Sequence, residues 1–140
     1  MQVVLDTNIW VSGFDPEDPF HAECFPLMQK IFDGQIEIAC PTLVLVETAC
    51  TLFRRTRNSL LVKQIQHELI QRPSITWHEV GLAVARRACQ LGMETGLKGG
   101  DALILLAAKD LGLPLLTKDK EIQAKAPATI QILEPGDLSS

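Results

Sequence analysis

The chain has 140 residues, 46% hydrophobic and 21% charged, with a net charge of -4 and a pI near 5.3. That length suits one domain able to bury an aliphatic core without staples, and the composition excludes a disordered or low-complexity chain. The acidic balance argues against a protein that grips nucleic acid by bulk charge alone.

In chain order, QVVL at 2–5 is a short apolar, β-branched run ending at Asp6, which predicts a buried strand. Residues 20–33 read as a helix. IEIAC at 36–40 is a second strand, and Pro41, whose missing amide hydrogen costs little at a helix start, opens a helix that runs to Arg57. Asn58 and Ser59 offer caps for a further helix, which Pro73 must end. A short extended stretch, ITW at 75–77, precedes Val80, Val84, Ala88 and Leu91, whose spacing predicts a helix up to Gly92. Gly96, Gly99 and Gly100 predict a loop, followed by the helix ALILLAAKDL, the strand LPLLT, the short helix DKEIQAKA and the strand TIQIL.

Strand alternating with helix implies an α/β fold, with parallel strands covered by helices on both faces. A single domain over residues 1–135 is expected, with 136–140 as a flexible tail. No window approaches the roughly 20 apolar residues of a spanning helix, and MQVVLDTN lacks a basic segment before a longer apolar one, so a cytoplasmic protein is expected. Cys24, Cys40, Cys50 and Cys89 are far apart, without a CxxC pair or histidines at zinc-ligand spacing, and read as reduced, mostly buried thiols.

Ligands of open parallel sheets gather beyond the carboxyl ends of the strands. Asp6 directly follows the first strand, Asp119 follows LPLLT after one lysine, and Asp101 opens its helix after LKGG. Glu47 shares a helix face with Leu43, Val46, Cys50 and Arg54, three of them apolar, where an unpaired carboxylate is expensive. Taken alone, each aspartate also reads as a turn or helix cap, and Glu47 as a residue reaching the helix edge or pairing with Arg54 or Arg55. One shared cation accounts for all four. Carboxylates about 5 Å apart at an effective dielectric near 20 repel by about 3 kcal/mol per pair, so such a cluster takes up a counterion or protons. Hard oxygen ligands without histidine or thiolate favour Mg²⁺ or Mn²⁺ over zinc, and a carboxylate-held Mg²⁺ orients a phosphodiester and activates water. The cation also offsets local negative charge where phosphate must approach.

VVLDTNIW at 3–10, LVLVE at 43–47, GGDALILLA at 99–107 and LLTKDKEI at 115–122 resemble, in this order, the motifs of PIN-domain ribonucleases, in particular VapC-type toxins of bacterial toxin-antitoxin pairs. The resemblance covers residues 1 to about 133. It implies a three-layer α/β/α sandwich with a mostly parallel central sheet and metal-binding catalytic acids at Asp6, Glu47, Asp101 and Asp119. It further implies polar supports at Asn8 and Thr117, RNA as substrate, frequent homodimers and a cognate antitoxin. Ile122 departs from the pattern, standing where the fourth motif often has an aromatic residue.

Residues 42–72 carry Arg54, Arg55, Arg57, Lys63 and Arg72 against Glu47 and Glu68, a locally basic stretch in an acidic chain. Arg54, Arg55, Arg57 and Lys118 are candidate RNA contacts; a solvated, dipole-favouring helix end is the plainer reading of the arginines. His21, His67 and His78 lack the mutual spacing of a metal or proton-relay site. Trp10 and Phe14 read as core or dimer contacts. A phosphoacceptor signalling domain is excluded because the first strand ends Asp-Thr-Asn rather than in adjacent acids and the second ends Cys-Pro-Thr without a phosphoacceptor aspartate, and a nucleotide-binding module because GxGxxG and GxxxxGK[ST] are both missing. The remaining alternative is a PIN-like adaptor that binds RNA or protein without cleaving it.

Overall fold

Val3, Val4 and Leu5 are wholly buried, as a central parallel strand between two helical layers requires, and they form β1 (Gln2–Leu5). The computed structural model describes residues 1–138. Beside β1 lie β2 (Glu37–Pro41) and β3 (Ile75–His78) on one side, and β4 (Leu115–Leu116) and β5 (Ile132–Leu133) on the other. All pairings are parallel, in the order β3-β2-β1-β4-β5, so the expected parallel α/β sandwich is the fold observed. The chain winds outward from β1 through β2 to β3, then crosses back to β4. The direction of winding therefore reverses between β1 and β4, which makes the carboxyl ends of these two strands the natural crevice.

The last two strands are shorter than the runs LPLLT and TIQIL suggest. The Leu113 amide donates to the Ala108 carbonyl and so completes a helix end, and Pro114 has no amide to give. Ile130 likewise closes a turn onto the Pro127 carbonyl before pairing resumes.

Seven helices flank the sheet among the described residues: α1 (Thr7–Phe14), α2 (His21–Phe32), α3 (Thr42–Thr56), α4 (Ser59–Gln71), α5 (Leu82–Thr95), α6 (Gly99–Leu111) and α7 (Lys120–Lys125). α1 was not foreseen. Its Ile9, Trp10 and Val11 are buried together with Ser12 and Gly13, so no polar stripe marks the segment as an amphipathic helix. Gly13 is needed there, since a Cβ at this position would lie 2.5 Å from Met28 Cγ of the adjoining α2. Trp10 is fully buried and stacks on Phe14 at 6.1 Å between ring centroids, a core role.

α3 closes at Arg57, which takes left-handed backbone (φ 53°), and Asn58 Oδ1 then accepts the Leu61 amide to start α4. α6 begins two residues before Asp101, so Gly99 and Gly100 form its first turn rather than a loop. Cys24 and Cys40 are buried, but Cys50 and Cys89 are exposed, because helices facing solvent carry both; all four are free thiols. A 3-10 turn, Pro135–Leu138, runs into the segment expected as a tail, and Lys30 Nζ donates to the Leu138 carbonyl at 2.7 Å. Residues 139 and 140 of that segment lie outside the described residues. No described helix is long and apolar enough to cross a membrane.

Candidate active site

Asp6 and Asp119 flank the crevice where the winding reverses. Asp6 leaves β1 in extended backbone at the head of α1, yet its side chain makes no capping hydrogen bond. Instead Thr117, just past β4, donates its hydroxyl to Asp6 Oδ2 at 2.6 Å, and both side chains are buried. The strands are locked beneath this pair by the Asp6 amide, which donates to the Leu116 carbonyl. Burial, joined by the charges of Asp101 and Asp119, pushes the Asp6 carboxyl up from 3.8 to about 6 despite the Thr117 hydroxyl.

Asp119 is the N-cap of α7: its Oδ1 accepts the amides of Glu121 at 2.8 Å and Ile122 at 3.1 Å. The capping reading is thus correct for Asp119, but both bonds go to one oxygen, and the same carboxylate still repels Asp6 and Asp101. Thr117 serves twice, because its Oγ1 also accepts the Asp119 amide at 3.0 Å.

Asp101 is not a helix cap. Lys98 holds that position, and Asp101 sits in the first turn of α6, where the helix dipole favours an anion. Its carboxyl is nonetheless held above the ordinary range, first by partial burial, then by Asp119, Glu121 and Glu47, with Lys98 opposing. Asp101 is therefore the group that ties the four acids together, feeling Asp6 and Asp119 on one side and Glu47 on the other.

Glu47 is half-buried on α3 and accepts the Thr7 hydroxyl through Oε1 at 2.8 Å. Sequence reasoning missed Thr7; its only signal was its place within DTN. It also missed the role of Gly100, where a Cβ would stand 3.2 Å from Glu47 Oε2. That approach is tighter than ordinary carbon-oxygen packing, so the bare glycine lets the α6 terminus come close to Glu47. Gly100→Ala should displace the carboxylate and reduce activity by roughly 10–100-fold, the usual effect of disturbing an outer partner of a metal site. Denaturant unfolding should show stability unchanged or raised by up to about 1 kcal/mol, since alanine outranks glycine in a helix. Loss of stability together with activity would assign Gly100 to packing alone.

The four acids offer oxygen donors only, without thiolate or imidazole among them, and their mutual repulsion gives the cluster a use for a cation. In donor chemistry they fit Mg²⁺ or Mn²⁺. Among the described residues no three such side chains are gathered tightly enough to hold an ion by themselves. Each of three acids is instead held by its own partner: Thr117 holds Asp6, Thr7 holds Glu47, and the α7 terminus holds Asp119. Mg²⁺ keeps several of its waters and takes as few as one or two carboxylates directly, so a looser acidic ring suits it.

Asn8 is exposed and lines a cavity of about 250 Å³ with Asp119, Lys118 and Arg55. Arg55 is engaged there, donating to Asp15 Oδ2 at 3.0 Å and to Asp18 Oδ2 at 2.8 Å, which ties the end of α3 to the segment between α1 and α2. Arg54 is exposed, and Arg57 lies over the Phe53 ring. His21 donates through Nδ1 to the Ser12 carbonyl at 2.9 Å, and the three histidines share no site among the described residues.

The chain matches the family model of the PIN domain over residues 3–127. A search of curated proteins by sequence finds no match. Among solved structures, the fold is similar to Mycobacterium tuberculosis VapC20, a sarcin-ricin loop cleaving toxin, at TM-score 0.75 and 16% identity, covering 92% of this chain and 98% of that one. It is similar also to PAE2754 from Pyrobaculum aerophilum, at TM-score 0.67 and 20% identity over 99% of this chain and 87% of that one. A toxin-antitoxin complex from Klebsiella pneumoniae matches at TM-score 0.66 and 19% identity over 95% and 97%.

Proposed function

The chain belongs to the PIN-domain family, and from that premise we propose that it is a ribonuclease that hydrolyses RNA phosphodiester bonds with Mg²⁺ or Mn²⁺ held by Asp6, Glu47, Asp101 and Asp119. The observation that carries this reading is the repulsion converging on Asp101 and on buried Asp6 at the switch point of the sheet. A divalent cation bound there would polarise the phosphoryl group, lower the pKa of an attacking water and offset the charge of in-line displacement.

The chain's own side chains have separable roles in this scheme. Thr117 fixes the rotamer of Asp6 and orients the Asp119 backbone, while Thr7 steadies Glu47. Asp119, tied at one oxygen by the start of α7, presents a carboxylate whose position is set by backbone. Asn8 faces the adjoining cavity, where a hydrogen-bonding amide is available to a substrate oxygen.

We further assign the protein to the toxin side of a toxin-antitoxin pair, with an antitoxin protein and a second copy of itself as partners. Support for the toxin role and the antitoxin comes from the neighbours described as VapC20 and as a toxin-antitoxin complex, whereas the second copy rests on the motif resemblance alone. The deciding assay for the chemistry is incubation with single-stranded RNA. Cleavage should need Mg²⁺ or Mn²⁺, stop on chelation and resume when the metal is restored. Cleavage that survives chelation would overturn the proposal.

A further inference from the structure

The cavity beside Asp119 has a wall that the acidic cluster does not explain. Phe20 lies at the head of α2 with 44% of its surface exposed, although burying such a ring is worth about 2 kcal/mol. Lys118 Nζ stands 4.4 Å from the centre of that ring and 3.0 Å from Glu23 Oε2. The ammonium is thereby held over one aromatic face, directly beside the Asp119 carboxylate in sequence. The rest of the lining is mixed: Ile9, Asn8, Ser12, the Asp18 carboxylate and the Arg55 guanidinium, which Asp15 and Asp18 hold. An exposed aromatic ring, an anchored cation and hydrogen-bonding groups thus meet around one space of about 250 Å³ that opens against a proposed metal ligand, with the Asp18 charge in its wall taken up by Arg55.

We propose that this cavity is the subsite for an unpaired nucleotide flanking the scissile phosphodiester, with its base on Phe20 and its phosphate at Lys118. The inference rests on the nuclease reading above and deepens it, adding a base-stacking subsite beside the acidic cluster. Aromatic rings of this kind stack on any base, whereas a base inside a duplex has both faces covered by its neighbours. The cavity lies below the range of about 300–1,000 Å³ typical of drug-sized ligands, so it suits one base and excludes a helix or folded segment of a partner protein. Its lining also differs from the continuous apolar groove that an amphipathic helix seeks.

The test separates this subsite from the chemistry. In the Asp101→Asn background, which should keep the fold and remove turnover, fluorescence anisotropy measures binding of a single-stranded RNA oligonucleotide and of the same sequence as a duplex. Phe20→Leu should weaken single-strand binding roughly tenfold, Phe20→Trp should restore it, and duplex binding should change in neither. Lys118→Gln should reduce the slope of log K against log salt by about 0.7. With Asp101 intact, Phe20→Leu should raise KM and leave kcat near its original value. If the parent protein cleaves RNA in a metal-dependent way but Phe20→Leu binds and cleaves like the parent, the subsite is wrong while the nuclease survives. Equal effects on single strand and duplex, or failure of tryptophan to rescue, would also overturn it.

Discussion

Asp101→Asn should abolish RNA cleavage, lowering kcat/KM by at least about a thousandfold, beyond the 10–100-fold expected for an outer partner of a metal site. The variant should remain folded, with a melting temperature equal to or above that of the parent without metal. Among the described residues Asp101 makes no hydrogen bond or ion pair that the fold depends on; Lys98 occupies the cap of α6. Its carboxyl is surrounded by the like charges of Asp119, Glu121 and Glu47, so neutralising it relieves repulsion. Asp119→Asn is the companion measurement. Asparagine still offers an Oδ1 to the amides of Glu121 and Ile122, so the cap of α7 should survive while the charge is lost. Single-turnover cleavage rates and thermal melts on both variants check the argument. Full activity in either would remove that carboxylate from the metal site, and a collapsed melting temperature would recast it as a structural anion.

The parallel sheet and the positions of Asp6 and Asp119 were legible because each strand is a short apolar run that stops abruptly at a polar residue. The order of strands follows from the sense of winding, which local pattern does not encode. α1 escaped notice because it is buried on nearly every side, so Ile9 to Gly13 show none of the alternation that identifies a half-exposed helix. The start of α6 was misplaced for a different reason. Gly99 and Gly100 have poor helix propensity, yet the terminus gains by their small size, since Gly100 lets Glu47 approach. Tertiary contact overrode local preference there. Thr7 and Arg55 illustrate the limit of motif reading: one donates to an acid 40 residues away and the other bridges Asp15 and Asp18, pairings fixed only once the helices pack.

Asp6→Asn should stabilise the metal-free protein at pH 8 and do so far less at pH 4. The native Asp6 carboxyl sits at about 6 rather than 3.8, so the folded state keeps a proton that the unfolded chain releases between those values. A carboxyl raised in this way removes stability as pH climbs from about 4 through 6, and the loss is complete above 6. At about 1.4 kcal/mol per pH unit this amounts to about 3 kcal/mol at pH 8, or a melting-temperature difference of roughly 5–10 °C for a domain of this size. Asparagine keeps the oxygen that accepts the Thr117 hydroxyl and carries no charge, so its melting curve should lack this pH dependence. Added Mg²⁺ or Mn²⁺ should raise the melting temperature of the parent and narrow the gap, because only the parent retains the full ligand set and gains RT ln(1 + [L]/Kd). Calorimetry or fluorescence melts across pH 4–8, with and without metal, supply the comparison. A stabilisation by asparagine that is equal at both ends of the pH range would show that Asp6 is not the titrating group. A parent whose melting ignores both pH and metal would mean that burial and repulsion do not act on this carboxylate as the fold requires.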